Sequence, residues 1–157
     1  MSERMSVLLN KKPCYDIVFT KGFGGLPEEL AALECGTRKL CVITDSKVDE
    51  LYGEEVLRLL EGKCAKAVKY VFPQGEASKT LDTVRDIYRF LIEEGFDRKD
   101  MLLALGGGVT GDITGYAAAT YLRGIDYVQI PTTLLAQADS SIGGKTGVDF
   151  DGYKNMV

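Results

Sequence analysis

The stretch that most limits what this chain can become runs from Met101 to Asn155. It opens with an apolar run, Met101 to Leu105, short enough for a strand covered on both faces. Gly106, Gly107 and Gly108 follow without interruption. After them, Val109 to Tyr121 is dense in small residues: Gly111, Gly115, Ala117, Ala118 and Ala119. A strand, a turn bare of side chains and the start of a helix together aim backbone N–H groups at a phosphate. The small residues allow that helix to lie close against a sheet. Tyr127 to Ile130 reads as a further strand running into Pro131-Thr132-Thr133, and the tail gathers Asp139, Ser140, Ser141, Lys145, Thr146, Lys154 and Asn155 in a glycine-punctuated span.

The rest of the chain alternates strand and helix patterns. Tyr15 to Thr20 reads as a first strand, and Pro27 opens a helix to about Leu33, stopped by Gly36. Lys39 to Thr44 is a compact buried strand ending at Asp45. Val48, Leu51, Tyr52, Val56, Leu59 and Leu60 then recur at helical spacing as far as Gly62. Ala65 to Phe72 is another strand, and Ser78 is placed to cap a helix with the stripe Leu81, Val84, Ile87, Tyr88, Leu91 and Ile92. Strands alternating with helices predict parallel βαβ units, hence an α/β fold: a Rossmann-like open, mainly parallel sheet with flanking helices. Ligands of such sheets sit outside the carboxyl ends of the strands. Those ends are Asp45-Ser46-Lys47, then Pro73 to Lys79, then the glycines with Asp112, then Thr132-Thr133. Polar and glycine residues converge on one edge.

With 157 residues the chain fits a single domain, and no linker divides it. A net charge of −4 without an arginine-lysine stripe argues against a nucleic-acid partner. No apolar run is long enough to span a membrane, and the N-terminus lacks the apolar core of a signal peptide. The four cysteines, Cys14, Cys35, Cys41 and Cys64, form no C-x-x-C pair and read as reduced thiols of a cytoplasmic protein. Histidine is absent, which removes the usual general base and the commonest metal ligand.

Gly106 to Gly111 satisfies G-x-G-x-x-G, but the acid about twenty residues on, Asp126, begins a strand where a ribose-binding acid should end one. Asp45 does end a strand and is the better ribose ligand, so the phosphate loop belongs to a later strand than in the common layout. Each site residue has a plainer alternative. The glycines can serve a tight turn, Asp45 can cap the helix near Val48, and Glu76 with Lys79 can be a solvated helix-start pair. Arg123, before Gly124, can be a surface arginine at a helix end. Asp139, Lys145, Lys154 and Asn155 around a glycine-rich bend suit an anionic, hydroxyl-bearing substrate.

The segments GGGVTGD, AAATYLRG and IPTTLLAQADSSIGGKTGVDFDGYKN, with Asp45 and QGEASK, resemble the core of the 3-dehydroquinate synthase family of sugar-phosphate cyclases. The resemblance covers nearly the whole chain and implies that residues 1–157 form the NAD-binding α/β domain. It implies NAD contacts from Asp45, Lys47, Gly75, Glu76, Lys79, Gly106, Gly107, Gly108, Val109, Asp112, Thr132, Thr133, Leu135, Asp139, Ser140, Lys145 and Lys154. Asp139, Lys145, Lys154 and Asn155 are implied as catalytic, where nicotinamide and substrate meet. Arg123 is implied to hold the substrate phosphate from the partner subunit of a homodimer. The family's zinc or cobalt site uses a glutamate and two histidines of a C-terminal helical domain absent from this chain. The chain is therefore expected to be part of a longer enzyme and inactive alone. The implied reaction takes 3-deoxy-arabino-heptulosonate 7-phosphate, a sugar-phosphate acid, to 3-dehydroquinate and phosphate.

Three other readings remain open from the sequence: a related cyclase making an inosose or valiolone, a metal-dependent polyol dehydrogenase, and a non-catalytic nucleotide-binding module. The dehydrogenase accounts poorly for the Asp139 to Asn155 cluster.

Overall fold

A computed structural model of the chain describes residues 3–157. The N-terminal residues form an antiparallel hairpin of β1 (Glu3–Leu9) and β2 (Lys12–Phe19), turned through Asn10 and Lys11 at φ of 51° and 64°. Positive φ at both turn positions matches the twist of a tight hairpin. The hairpin is a sheet of its own. The strand expected over Tyr15 to Thr20 is thus displaced toward the N-terminus, and it does not join the parallel sheet. Its partner β1 went unread because most of its residues are exposed and give no buried-strand signal.

The main sheet follows. Helix α1 (Leu26–Ala32), with proline in its first turn, leads through a short 3₁₀ turn to β3 (Lys39–Asp45). Then α2 (Ser46–Val48), a π-helical turn Asp49–Gly53 and α3 (Glu54–Leu60) carry the chain to β4 (Lys66–Phe72). A long α4 (Leu81–Glu93) returns to β5 (Met101–Gly106), and α5 (Gly108–Thr120) connects β5 to β6 (Asp126–Pro131). The cap of α4 is Thr80, whose hydroxyl accepts from Thr83 N–H. Ser78, expected there, sits in a 3₁₀ turn with its hydroxyl turned back on Pro73 O.

The strand order is β4-β3-β5-β6, and every pairing is parallel. Side chains of the central strands alternate between two cores. Leu40, Val42, Met101, Leu103 and Leu105 pack with Leu30, Val56 and Leu60 of α1 and α3. Cys41, Ile43 and Leu102 pack with Val84, Ile87 and Leu91 of α4 and with Ile113 and Ala117 of α5. Burial on both faces is why β3 and β5 read as continuous apolar runs.

This topology positions the site. From β3 the chain leaves toward β4 on the face of α3, and from β5 it leaves toward β6 on the face of α5. The neighbouring loops after β3 and β5 therefore part in opposite directions, opening a crevice between Asp45 and Gly106. Such a switch point is where open α/β sheets bind ligands.

Candidate functional site

On one side of the crevice, the Asp45 carboxylate caps α2. Its Oδ1 accepts from the N–H groups of Lys47 at 2.9 Å and Val48 at 3.0 Å. Its Oδ2 lies 3.5 Å from the Thr110 hydroxyl, which donates toward it across the crevice from α5. The capping alternative is therefore realised, and it leaves Oδ2 facing the glycines. The Lys47 ammonium turns away and pairs with Glu50 at 2.9 Å.

On the other side, α5 begins at Gly108 with Gly107 as its N-cap, and no side chain caps it. The leading N–H groups of a helix have no partner within the helix and carry the positive end of its dipole. A Cβ at Gly106 would lie 2.4 Å from Thr110 Oγ1, one at Gly107 3.2 Å from Thr133 Cγ2, and one at Gly108 3.0 Å from Ser140 Oγ. A side chain at Gly106 would clash with Thr110, and at Gly107 and Gly108 it would crowd Thr133 and Ser140, whose Oγ is buried there without a hydrogen-bond partner. Bare N–H groups at a helix start can take an anion, and a carboxylate across the cleft can accept from hydroxyl groups. Val109 is partly buried against the core of the α4 face, so its contribution to the loop is through its backbone.

The rim continues from β6. Thr132 N–H donates to Gly106 O at 2.9 Å, tying the two loops together. Thr133 Oγ1 accepts from Ala136 N–H at 3.2 Å and so starts the π-helical turn Ala136–Ser140. Leu135 is exposed beside it. Asp139 and Lys145, both well exposed, face each other at 3.8 Å. Thr146, next to Lys145, packs so closely on α5 that a Cβ at Gly115 would lie 2.2 Å from its Cγ2.

The loop after β4 supplies the remaining wall. Gly75, at a φ of 107°, makes a bend that a side chain would strain, and it brings Glu76 outward. Glu76 Oε1 stands 3.5 Å from Lys154 Nζ. Lys79 is buried, with its ammonium 2.7 Å from Asp112 Oδ2 and donating to Asn155 Oδ1. The tail residues expected as one cluster thus form two groups. Asp139 and Lys145 flank the β6 loop, and Lys154 and Asn155 dock onto the β4 loop.

Arg123 is separate. It is exposed in the 3₁₀ turn between α5 and β6, at the amino-terminal edge of the sheet. Every other expected site residue lies toward the carboxyl edge, so within one chain Arg123 does not join them.

Sequence reasoning missed Thr110, Asp149 and Tyr15. Thr110 could have been found, since its offset from Gly106 puts it on the first turn of α5. Tyr15 could not: its hydroxyl accepts from Gly143 N–H at 3.1 Å across 128 positions. Asp149 holds Asn155 N–H at 2.8 Å.

Among the described residues, no group of three His, Cys, Asp or Glu side chains is placed to hold a metal ion. Among those residues no helix is long and apolar enough to cross a membrane.

Comparison with known proteins agrees with this architecture. A 3-dehydroquinate synthase of Ruminiclostridium cellulolyticum is 50% identical over 147 residues, spanning 94% of this chain and 41% of that protein. The chain therefore spans well under half the length of such relatives. The crystal structure of a 2-deoxy-scyllo-inosose synthase superposes with a TM-score of 0.87 at 27% identity, over all of this chain and 43% of that one. A 2-epi-5-epi-valiolone synthase from Streptomyces hygroscopicus, solved with NAD+ and Zn2+ bound, superposes at 0.79 with 34% identity, over 98% of this chain and 42% of that one. Residues 69–157 match the family model of the 3-dehydroquinate synthase N-terminal domain, which covers the glycine cradle, β6 and the whole tail, and the chain belongs to that family.

Proposed function

We propose that this chain is the cofactor-binding part of a 3-dehydroquinate synthase, a phosphate-eliminating lyase of the shikimate pathway of aromatic amino acid biosynthesis. Its substrate would be 3-deoxy-arabino-heptulosonate 7-phosphate and its products 3-dehydroquinate and phosphate. The observation that carries this reading is the crevice at the switch point, with Asp45 on one side and the uncapped start of α5 on the other.

When bound, NAD supplies a hydride acceptor that oxidises one substrate hydroxyl, acidifies the neighbouring C–H and returns the hydride after phosphate has left. The chain's own residues do the rest. The N–H groups at the start of α5 hold the pyrophosphate. Asp45 Oδ2 accepts from a ribose hydroxyl, and Glu76 extends that wall. Lys145 and Lys154 are exposed, each near a single carboxylate, and are free to turn toward the substrate's anionic groups. There they bind the carboxylate and the phosphate and offset charge as phosphate departs. Asp139 and Asn155 orient hydroxyls beside them. The residues of this chain do not fit a metal, having no histidine and no acid or cysteine cluster among the described residues. A zinc or cobalt ion would be held by residues outside this segment.

Arg123 lies at the far edge of the sheet, so its part in phosphate binding requires a homodimer in which Arg123 of one copy reaches its partner's crevice. Four unbridged thiols accord with the cytoplasm as the compartment.

The test is the full-length enzyme with the heptulosonate phosphate and catalytic NAD. Phosphate release matched by 3-dehydroquinate formation is the expected result. Release from a hexose phosphate instead would transfer the assignment to the inosose-forming cyclases, whose fold this chain shares. No phosphate release from either would refute the reading.

A further inference from the structure

The β1–β2 hairpin is a sheet of its own, tied to the rest of the chain by polar contacts. Arg4 donates to Asp16 within the hairpin at 2.8 Å and to Glu29 of α1 at 2.5 Å. A second tie is the Tyr15 hydroxyl, which accepts from Gly143 N–H at 3.1 Å. The pair Val7 and Tyr15 is followed by Leu8 and Pro13, so Cys14 is left over as a β-bulge beside Tyr15. A bulge bends its strand and re-aims a neighbouring side chain, and here that side chain ends on the loop behind the π-helical turn.

Gly143 opens a stretch with few restraints of its own. The turn before it is closed by Ile142 N–H on Asp139 O at 3.0 Å, and Val148 after it bonds to the backbone of Met156 and Val157. Between these anchors Gly143 and Gly144 take φ of 87° and 67°, conformations that glycine enters and leaves freely. Among the described residues, the Tyr15 bond is the one hydrogen bond made by residues 143–147. Lys145 follows directly, its side chain 71% exposed and its ammonium 3.8 Å from Asp139 Oδ1.

We propose that Tyr15 is a positioning residue: from the hairpin it fixes Gly143, and through that backbone it holds Lys145 at the rim of the crevice beside Asp139. This rests on the proposed function for what Lys145 binds. The other duty such a bond could serve is to anchor the hairpin alone, which Arg4 already does through Glu29. The two duties differ in whether Lys145 feels the loss of the hydroxyl.

The experiment uses the full-length enzyme with Tyr15→Phe, Lys145→Ala and the double variant. Tyr15→Phe keeps the ring and removes only the acceptor, so the fold and its Tm should stay near the wild type. Its kcat/KM should fall roughly threefold to tenfold, the worth of one neutral hydrogen bond. In the Lys145→Ala background the same change should alter kcat/KM less than about twofold, because its route to the substrate is already cut. Hydrogen exchange of the Gly143 amide should quicken about tenfold in Tyr15→Phe while the amides of β1 and β2 keep their rates, a readout independent of turnover. Unchanged Gly143 exchange, or a loss of kcat/KM that is as large without Lys145 as with it, overturns the proposal. Quickened exchange throughout the hairpin with kcat/KM intact also overturns it, in favour of a hairpin anchor. Should the wild-type enzyme not turn over this substrate, the functional reading fails, and Gly143 exchange alone decides whether Tyr15 holds the loop.

Discussion

Asp45 carries two duties that substitution can separate. Its Oδ1 satisfies the N–H groups of Lys47 and Val48 at 2.9 and 3.0 Å, while its Oδ2 faces the crevice 3.5 Å from Thr110 Oγ1. Asp45→Ala deletes both. Loss of a side-chain N-cap costs about 1 kcal/mol of stability. For a chain of this size that lowers Tm by roughly 2–4 °C. Asp45→Asn keeps an oxygen in the capping position and should unfold close to the wild type, since asparagine caps about as well as aspartate. Ligand binding should behave differently. A hydrogen bond from a ribose hydroxyl to a carboxylate is worth about 1.5–3 kcal/mol. Asp45→Ala should therefore weaken NAD by roughly tenfold to a hundredfold or slightly more. Asp45→Asn, with a neutral acceptor about half as strong, should fall between the two. Turnover at saturating NAD should be little changed in either. Thermal unfolding of the 157-residue chain and NAD titration of the full-length enzyme make the measurement. Equal Tm values for the two variants would show that the cap contributes nothing here. Wild-type NAD affinity in Asp45→Ala would refute the ribose assignment.

Other predictions follow from the same geometry. Lys154→Ala should lower turnover about a hundredfold, the loss of roughly 2–4 kcal/mol from one charge-assisted contact, with NAD affinity changed much less; a change confined to the NAD constant would misplace the substrate pocket. Gly115→Ala brings a Cβ to 2.2 Å from Thr146 Cγ2 and 3.1 Å from its Cβ, so overpacking should destabilise the chain by about 1–3 kcal/mol in denaturant unfolding. Adding Thr146→Ala removes that methyl and should recover most of the loss; no recovery would mean that the contact is not the cause. Burial raises the Cys41 thiol above its ordinary value of 9.0. Its stabilisation is complete below that pH and is lost as the pH rises and the unfolded chain ionises first, at about 1.4 kcal/mol per pH unit. Burial likewise raises the Cys35 and Cys64 thiols above 9.0 and the Tyr70, Tyr88, Tyr121 and Tyr127 hydroxyls above 10.0, so the loss of stability should steepen again above pH 10.0, and Cys41→Val should remove only the Cys41 share. The isolated 157-residue chain should bind NAD weakly, because the crevice is lined only by the loops at the carboxyl edge of the sheet and stays open above them; sub-micromolar binding by calorimetry would contradict that.

What the sequence alone determined is what local patterns encode. An apolar run before three glycines predicts β5 and the start of α5, and the acid after KLCVIT predicts a polar strand end at Asp45. The family resemblance adds a role for each position along the tail. The order β4-β3-β5-β6 is another matter, because which strands pair depends on contacts between residues far apart in the chain. That order alone makes Asp45 and Gly106 neighbours and puts the crevice between them. The hairpin escaped notice for a related reason. Its strand β1 buries almost nothing, and its turn uses asparagine and lysine at positive φ without a glycine to mark it. Tertiary structure also divided residues that spacing grouped together. It buried Lys79 between Asp112 and Asn155, turned Lys154 out toward Glu76, and left Arg123 at the opposite edge. Charge and spacing name the groups that can do chemistry, but burial and pairing are decided only when the sheet, its helices and the tail close on one another.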